Sequence, residues 1–159
     1  MATREGLTQA ELDSFGLAWS NNAVLRYLGV RMSFPNGTHV VVELPAVLPQ
    51  QRGGKGTDAV NGGVLAMMFD FALGATALLA PPLRRNATCQ LSIEFMKGVR
   101  GDAVRAIGKV DRATRTILFS SAELFDEKGV LCARASGLVS LGEPVTLADW
   151  TDSITPYDH

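Results

Sequence analysis

Asn61-Gly62-Gly63 leads into Val64–Ala80, a run in which every residue is apolar or small except Asp70 and Thr76. Two features of this run can do chemistry. Paired glycines at a helix entry leave free N–H groups at the positive end of the helix dipole, where an oxyanion developing on a carbonyl is stabilised. Glycine also permits close approach to the backbone. A lone carboxylate in an apolar helix is costly unless it is paired, hydrated or used. Asp70 can activate water as a general base or attack a carbonyl carbon itself. The plain structural alternatives are a buried carboxylate tied to backbone donors and a tight helix entry.

Spacing constrains how these groups cooperate. Eight helical residues separate Gly62 from Asp70, about 12 Å along the axis, and an aspartate side chain reaches only a few ångströms. One chain cannot present both to the same carbonyl. Two chains with antiparallel helices can, Gly62 of one meeting Asp70 of the other, so the spacing predicts a homodimer with two shared sites.

The remaining chain must position this helix. Thr8-Gln9-Ala10-Glu11 has the spacing of a capping box and predicts a helix through about Trp19. A second helix over 23–28 ends at Gly29. Strands over 30–34 and 39–44 flank Asn36-Gly37, a favoured hairpin dipeptide. Pro49–Asp58, with glycines at 53, 54 and 56, reads as a mobile loop. Val64–Ala80, ended by Pro81-Pro82, reads as a helix buried on all sides, too short and too marked by its carboxylate for a membrane span. Four long strands follow over 86–97, 103–110, 115–126 and 130–141. Their short connections predict an antiparallel meander curling around the helix. Residues 1–142 form one domain with an N-terminal helical segment over 1–28, and 143–159 reads as an exposed tail.

Composition excludes several classes. At 159 residues, 47% hydrophobic and 19% charged, the chain has an ordinary globular make-up. Fifteen basic against sixteen acidic residues give a net charge of −1, so no nucleic-acid or anionic-membrane footprint exists. Cys89 and Cys132 read as buried, reduced thiols, and the N-terminus lacks an apolar leader, so a cytoplasmic protein is expected. His39 and His159 are too isolated for a metal site. Gly53-Gly54-Lys55-Gly56-Thr57 lacks Walker spacing, and Arg100-Gly101-Asp102 is a turn.

Helix, two strands, a long buried helix and four antiparallel strands follow the order of the hotdog fold, an α+β architecture in which about six strands wrap a central helix. Asn61-Gly62-Gly63-Val64 with Asp70 resembles the His-Gly-Gly…Asp signature of the phenylacetic-acid-degradation-type (PaaI-like) thioesterases. Ile93–Asp102 and Phe125–Gly137 are similar to that family's strand-and-turn segment and last hairpin. The resemblance covers about residues 29–141. It implies hydrolysis of acyl-coenzyme A thioesters, with coenzyme A as part of the substrate, no separate cofactor, and dimers that can pair into tetramers. Asp70 matches the family's catalytic carboxylate and Gly62 the glycine whose N–H polarises the carbonyl. Gly63 adjoins it on the substrate side, and Thr88 stands where a Ser or Thr often faces the carboxylate. Asn61 replaces the usual histidine; it can donate a hydrogen bond or cap the helix but cannot titrate. Lys97, Arg100, Arg112 and Arg115 lie at strand ends and turns where coenzyme A phosphates could meet them.

Two other functions fit the same order of elements. A hydratase needs a catalytic histidine, and only His39 on an early strand is available. A non-catalytic acyl-coenzyme A-binding or sensing protein needs no carboxylate, and Asp70 argues against it.

Overall fold

In the computed structural model, which describes residues 5–53 and 57–154, α1 (Gln9–Ser20) opens on the expected capping box. The Thr8 hydroxyl accepts from the Glu11 N–H at 3.3 Å, while the Glu11 carboxylate accepts from the Thr8 N–H at 2.8 Å. α2 (Ala23–Leu28) ends at Gly29, whose φ of 78° is left-handed. β1 (Arg31–Ser33) and β2 (Val40–Leu44) pair antiparallel. Their connection is a one-turn 3₁₀ segment, Pro35–Gly37, longer than a two-residue hairpin turn. It still uses positive φ at Asn36 and Gly37. The expected loop over 49–58 is tied down where it is described, by a 3₁₀ turn at Pro49–Gln51 and a bridge between Arg52 and Val60. Gly54, Lys55 and Gly56 of that loop, and His159, lie outside the described residues.

The central helix differs from expectation in two ways. α3 (Gly62–Gly74) stops early and continues as a 3₁₀ turn over Ala75–Leu79. Side chains take the carbonyls that a longer α-helix would use: the Thr76 hydroxyl donates to Leu73 O at 2.5 Å, and Asn86 Nδ2 donates to Gly74 O at 3.1 Å. Nor is α3 buried on all sides. Leu65, Met68, Phe69, Ala72 and Leu73 face the sheet, whereas Gly62, Gly63, Met67 and Asp70 form an exposed stripe. The segment Gly62–Leu79 is apolar enough to span a membrane by length and composition, but here it is the helix around which the sheet packs.

β3 (Arg84–Phe95), β4 (Val104–Ala113), β5 (Ile117–Asp126) and β6 (Leu131–Pro144) complete a six-stranded antiparallel sheet of order β1-β2-β4-β5-β6-β3. Only β4, β5 and β6 form a meander. β3 pairs with β6 instead of β4, and the chain crosses between them past the entry of α3, where the Val60 N–H donates to Val99 O at 2.9 Å. A register shift between Thr88 and Gln90 marks a bulge. Because of it, Asn86 and Thr88 before the bulge and Leu91 and Ile93 after it are all half-buried on the helix side. Two glycines let the sheet approach α3. A Cβ at Gly108 would lie 2.6 Å from Ala72 O, and one at Gly137 would lie 2.9 Å from Leu73 Cδ1.

Residues 143–154, expected as part of an exposed tail, pack on the domain instead, and 155–159 lie outside the described residues. β6 runs on to Pro144, and α4 (Leu147–Asp152) packs Trp150 against Phe15 with ring centroids 5.2 Å apart. Leu147, Trp150 and Ile154 give that segment enough apolar surface to dock on the core. Both thiols are unpaired, as expected, but only Cys132 is buried. Cys89 sits in the bulge and is exposed.

Candidate active site

Asn61 takes the extended backbone of an N-cap, and its Oδ1 accepts from the Gly63 N–H at 2.8 Å. The Val64 and Leu65 N–H groups both reach Asn61 O, at 3.0 and 3.2 Å. The Gly62 N–H meets no acceptor among the described residues. Of the three candidate groups at this helix start, Asn61 is therefore committed to capping, Gly63 to its cap, and Gly62 is left to donate. It lines a shallow cavity with Val60, Leu65, Phe95, Lys97 and Val99. The Phe95 ring lies 3.5 Å from where a Cβ on residue 62 would stand, so the approach to this N–H runs beside an aromatic edge.

Asp70 lies two turns further along the exposed stripe. Its carboxylate makes no hydrogen bond or ion pair within the chain among the described residues, which removes the reading of a buried carboxylate held by backbone donors. It lines a second cavity of about 250 Å³, together with Thr88. Thr88 Oγ1 is 3.4 Å from the place a Cβ on Gly74 would take, so the small residue at 74 keeps the hydroxyl close to the helix. No residue lines both cavities. Gly62 and Asp70 thus belong to opposite ends of α3, in keeping with the ~12 Å axial separation of eight helical residues.

The basic residues divide. Lys97 lies in the Gly62 cavity, without an ion-pair partner among the described residues. Arg100 is paired with Asp58, and Arg52 with Asp102 at 2.8 Å, which ties the segment before α3 to the β3–β4 connection. Arg112 pairs in register with Phe119. Leu118 and Ser120 are buried, so Phe119 and Arg112 point to the face of the sheet away from α3. Arg115 lies in the β4–β5 turn, where its carbonyl accepts from the Arg84 guanidinium. Neither Arg112 nor Arg115 reaches either cavity. The Cys132 thiol is pushed up first by burial and then by the Asp126 charge.

Several lining residues were not foreseen. Asn86 holds Gly74 O beside Thr88. Phe15, Trp19, Phe71 and Trp150 complete the Asp70 cavity. Phe15 and Trp19 lie more than fifty positions before Asp70 and Trp150 eighty after it, with no motif to join them.

Residues 58–133 match the family model of the thioesterase superfamily. A Thermoplasma volcanium protein named as a supposed esterase is 26% identical over 84 residues, 53% of this chain and 63% of the relative, so the chain spans less than two thirds of that relative's length. A Shewanella oneidensis protein related to the thioesterase superfamily superposes with a TM-score of 0.74 at 22% identity, covering 87% of this chain and all of that one. The Escherichia coli PaaI protein from the phenylacetic acid degradation operon gives 0.66 at 21%, over 84% and 98%. A Bacillus halodurans protein solved with CoA gives 0.64 at 20%, over 77% and 79%. The six-stranded sheet around α3 is the hotdog fold.

Proposed function

We propose that this chain is a thioesterase of the thioesterase superfamily that hydrolyses acyl-coenzyme A to a free acid and coenzyme A at a site shared by two protomers. The observation that carries the reading is the exposed stripe of α3. It holds an unpartnered N–H at Gly62, a carboxylate free of intrachain partners at Asp70, and only small or flexible residues around them. A surface so apolar and so small-sided suits the close approach of a second helix. β3, at the end of the sheet, has no strand on its far side among the described residues and offers backbone groups next to that stripe. Antiparallel pairing of two α3 helices brings Gly62 of one protomer to Asp70 of the other.

In this arrangement the Gly62 N–H donates to the thioester oxygen and strengthens that bond as charge develops. Asp70 either takes a proton from the attacking water or attacks the carbonyl carbon to give an anhydride that water then opens. The carbon–sulfur bond breaks and coenzyme A leaves as the thiolate. Thr88 holds the water or the carboxylate, and Lys97 meets the coenzyme A moiety near the Gly62 cavity. The family match and the CoA-bound neighbour support this substrate class. In this reading dimers join further into tetramers through other faces, and a cytoplasmic setting suits the unpaired thiols.

The test is thiol release from a panel of acyl-coenzyme A esters by the purified protein and its Asp70→Asn variant. We expect turnover by the wild type and a loss of at least ~10²-fold in the variant, with a dimer in sedimentation for both. Equal turnover by the two proteins, or an active monomer, defeats the reading.

A further inference from the structure

The cavity that holds Asp70 has a divided lining. Its polar groups, Asp70, Asn86 and Thr88, come from α3 and β3, while Phe15, Trp19 and Trp150 come from α1 and α4. These rings form one cluster: Phe15 lies 5.8 Å from Trp19, nearly parallel to it, and 5.2 Å from Trp150, tilted by 50°. Both helices lie outside residues 58–133, the segment that matches the family model. Trp19 and Trp150 are half-buried and both border the Asp70 cavity.

We propose that α1 and α4 build the acyl pocket of this protein, and that Trp150 and Trp19 set the longest acyl chain it accepts. The inference rests on the thioesterase reading of Asp70. The cavity of about 250 Å³ is walled on one side by these rings, so in this proposal it takes a short to medium straight acyl chain and the wall stops a long one. A carbonyl beside Asp70 sends its acyl tail toward the aromatic wall, where each methylene buried is favourable and each one beyond the wall must displace an indole.

The experiment measures kcat/KM over straight-chain acyl-coenzyme A esters from acetyl to hexadecanoyl for the wild type, Trp150→Ala and Trp19→Ala. In the wild type kcat/KM rises about fourfold per methylene while the pocket fills, and falls beyond medium length. Each alanine variant raises the ratio of dodecanoyl to octanoyl kcat/KM at least fivefold, a ratio that loss of folded enzyme does not move. A smaller change in both variants, including a uniform fall over all lengths, overturns the proposal. A second readout is independent of turnover, because the only two tryptophans of the chain both line this cavity. A non-hydrolysable octanoyl-coenzyme A thioether is expected to change their fluorescence saturably, and coenzyme A alone is not. Should that hold without turnover of any ester, the hydrolase reading fails and the pocket stands. Absence of a tail-dependent fluorescence change overturns the pocket whatever the turnover.

Discussion

The four α-helices of the described residues all begin on a side-chain cap, yet their first turns are finished differently. α1 and α4 each close a full box, Thr8 with Glu11 and Thr146 with Asp149, so an acid in the first turn bonds back to the cap residue. α2 and α3 have the cap alone, Asn22 and Asn61. Asn61 is neutral, the residue three positions on is Val64, and no acid stands in its first turn. Capping boxes consume donors and complement the helix dipole. α2 and α3 forgo that gain, and at α3 this leaves the Gly62 N–H without an acceptor among the described residues, the donor that the proposed mechanism uses.

The sharpest way to break this comparison is to remove the open donor and ask whether a partner restores it. Gly62→Pro and Asp70→Asn should each lower turnover ~10²- to 10³-fold, the scale for losing an oxyanion donor or a positioned base. Co-refolded in equal amounts, half of the dimers are mixed, and each mixed dimer holds one intact site. About a quarter of wild-type activity should return if sites act independently. Mixed dimers without recovery would show that the site does not span two chains.

A gentler variant changes the open end without changing its shape. Asn61→Asp keeps the cap on Gly63 and adds a negative charge near the donor. Folding should gain about 0.3–1 kcal/mol from the dipole, while turnover falls about fivefold, the effect of ~1 kcal/mol of repulsion at contact distance in water. Denaturant midpoints and kcat/KM should therefore move in opposite directions. Parallel movement would mean that the α3 entry is only another structural cap.

At a boxed helix the outcome should be one-sided. Thr8→Ala should cost about 1 kcal/mol of stability and leave kcat per folded protein as in the wild type, read by denaturation and active-site-normalised rates. The smallest effect is one of pH. The Thr8 N–H, and after it the Thr8 hydroxyl, hold the Glu11 carboxyl below the ordinary carboxylate range. A lowered folded value means the box contributes fully above the unfolded value and is lost as pH falls through the folded one. Tm of Glu11→Gln should thus lie below that of the wild type near neutrality, and the gap should close as pH falls below ~4.

Much of this was readable from residue patterns, because period and punctuation act locally. The capping box at Thr8, the left-handed Gly29, the helix opening at Gly62 and the strands over 84–144 follow from local chemistry. The pairing of β3 with β6 did not, since strand order depends on how a sheet closes round a helix and adjacent strands in sequence need not be neighbours. Alternation also fails at Cys89: a strict period of two would send Thr88 and Leu91 to opposite faces, and only the bulge reconciles them. The docking of residues 145–154 is not legible because a six-residue helix has too few turns to show periodicity, and Trp150 acquires meaning only against Phe15. The two ends of the candidate site were visible as glycines and a carboxylate; the aromatic wall, assembled from three distant segments, was not.

Gly108 lies behind all of this, on the far side of α3 from the stripe. With a Cβ there 2.6 Å from Ala72 O, any other residue must lift the helix away from β4. Ala72 is two positions from Asp70, so the lift would be felt in the cavity that Asp70 and Thr88 both line. In catalysis a displacement of ~1 Å can cost ~10²-fold. The depth of the site is thus gauged from beneath by a hydrogen atom, and a single methyl group planted in the sheet, touching no ligand, would put it out of adjustment.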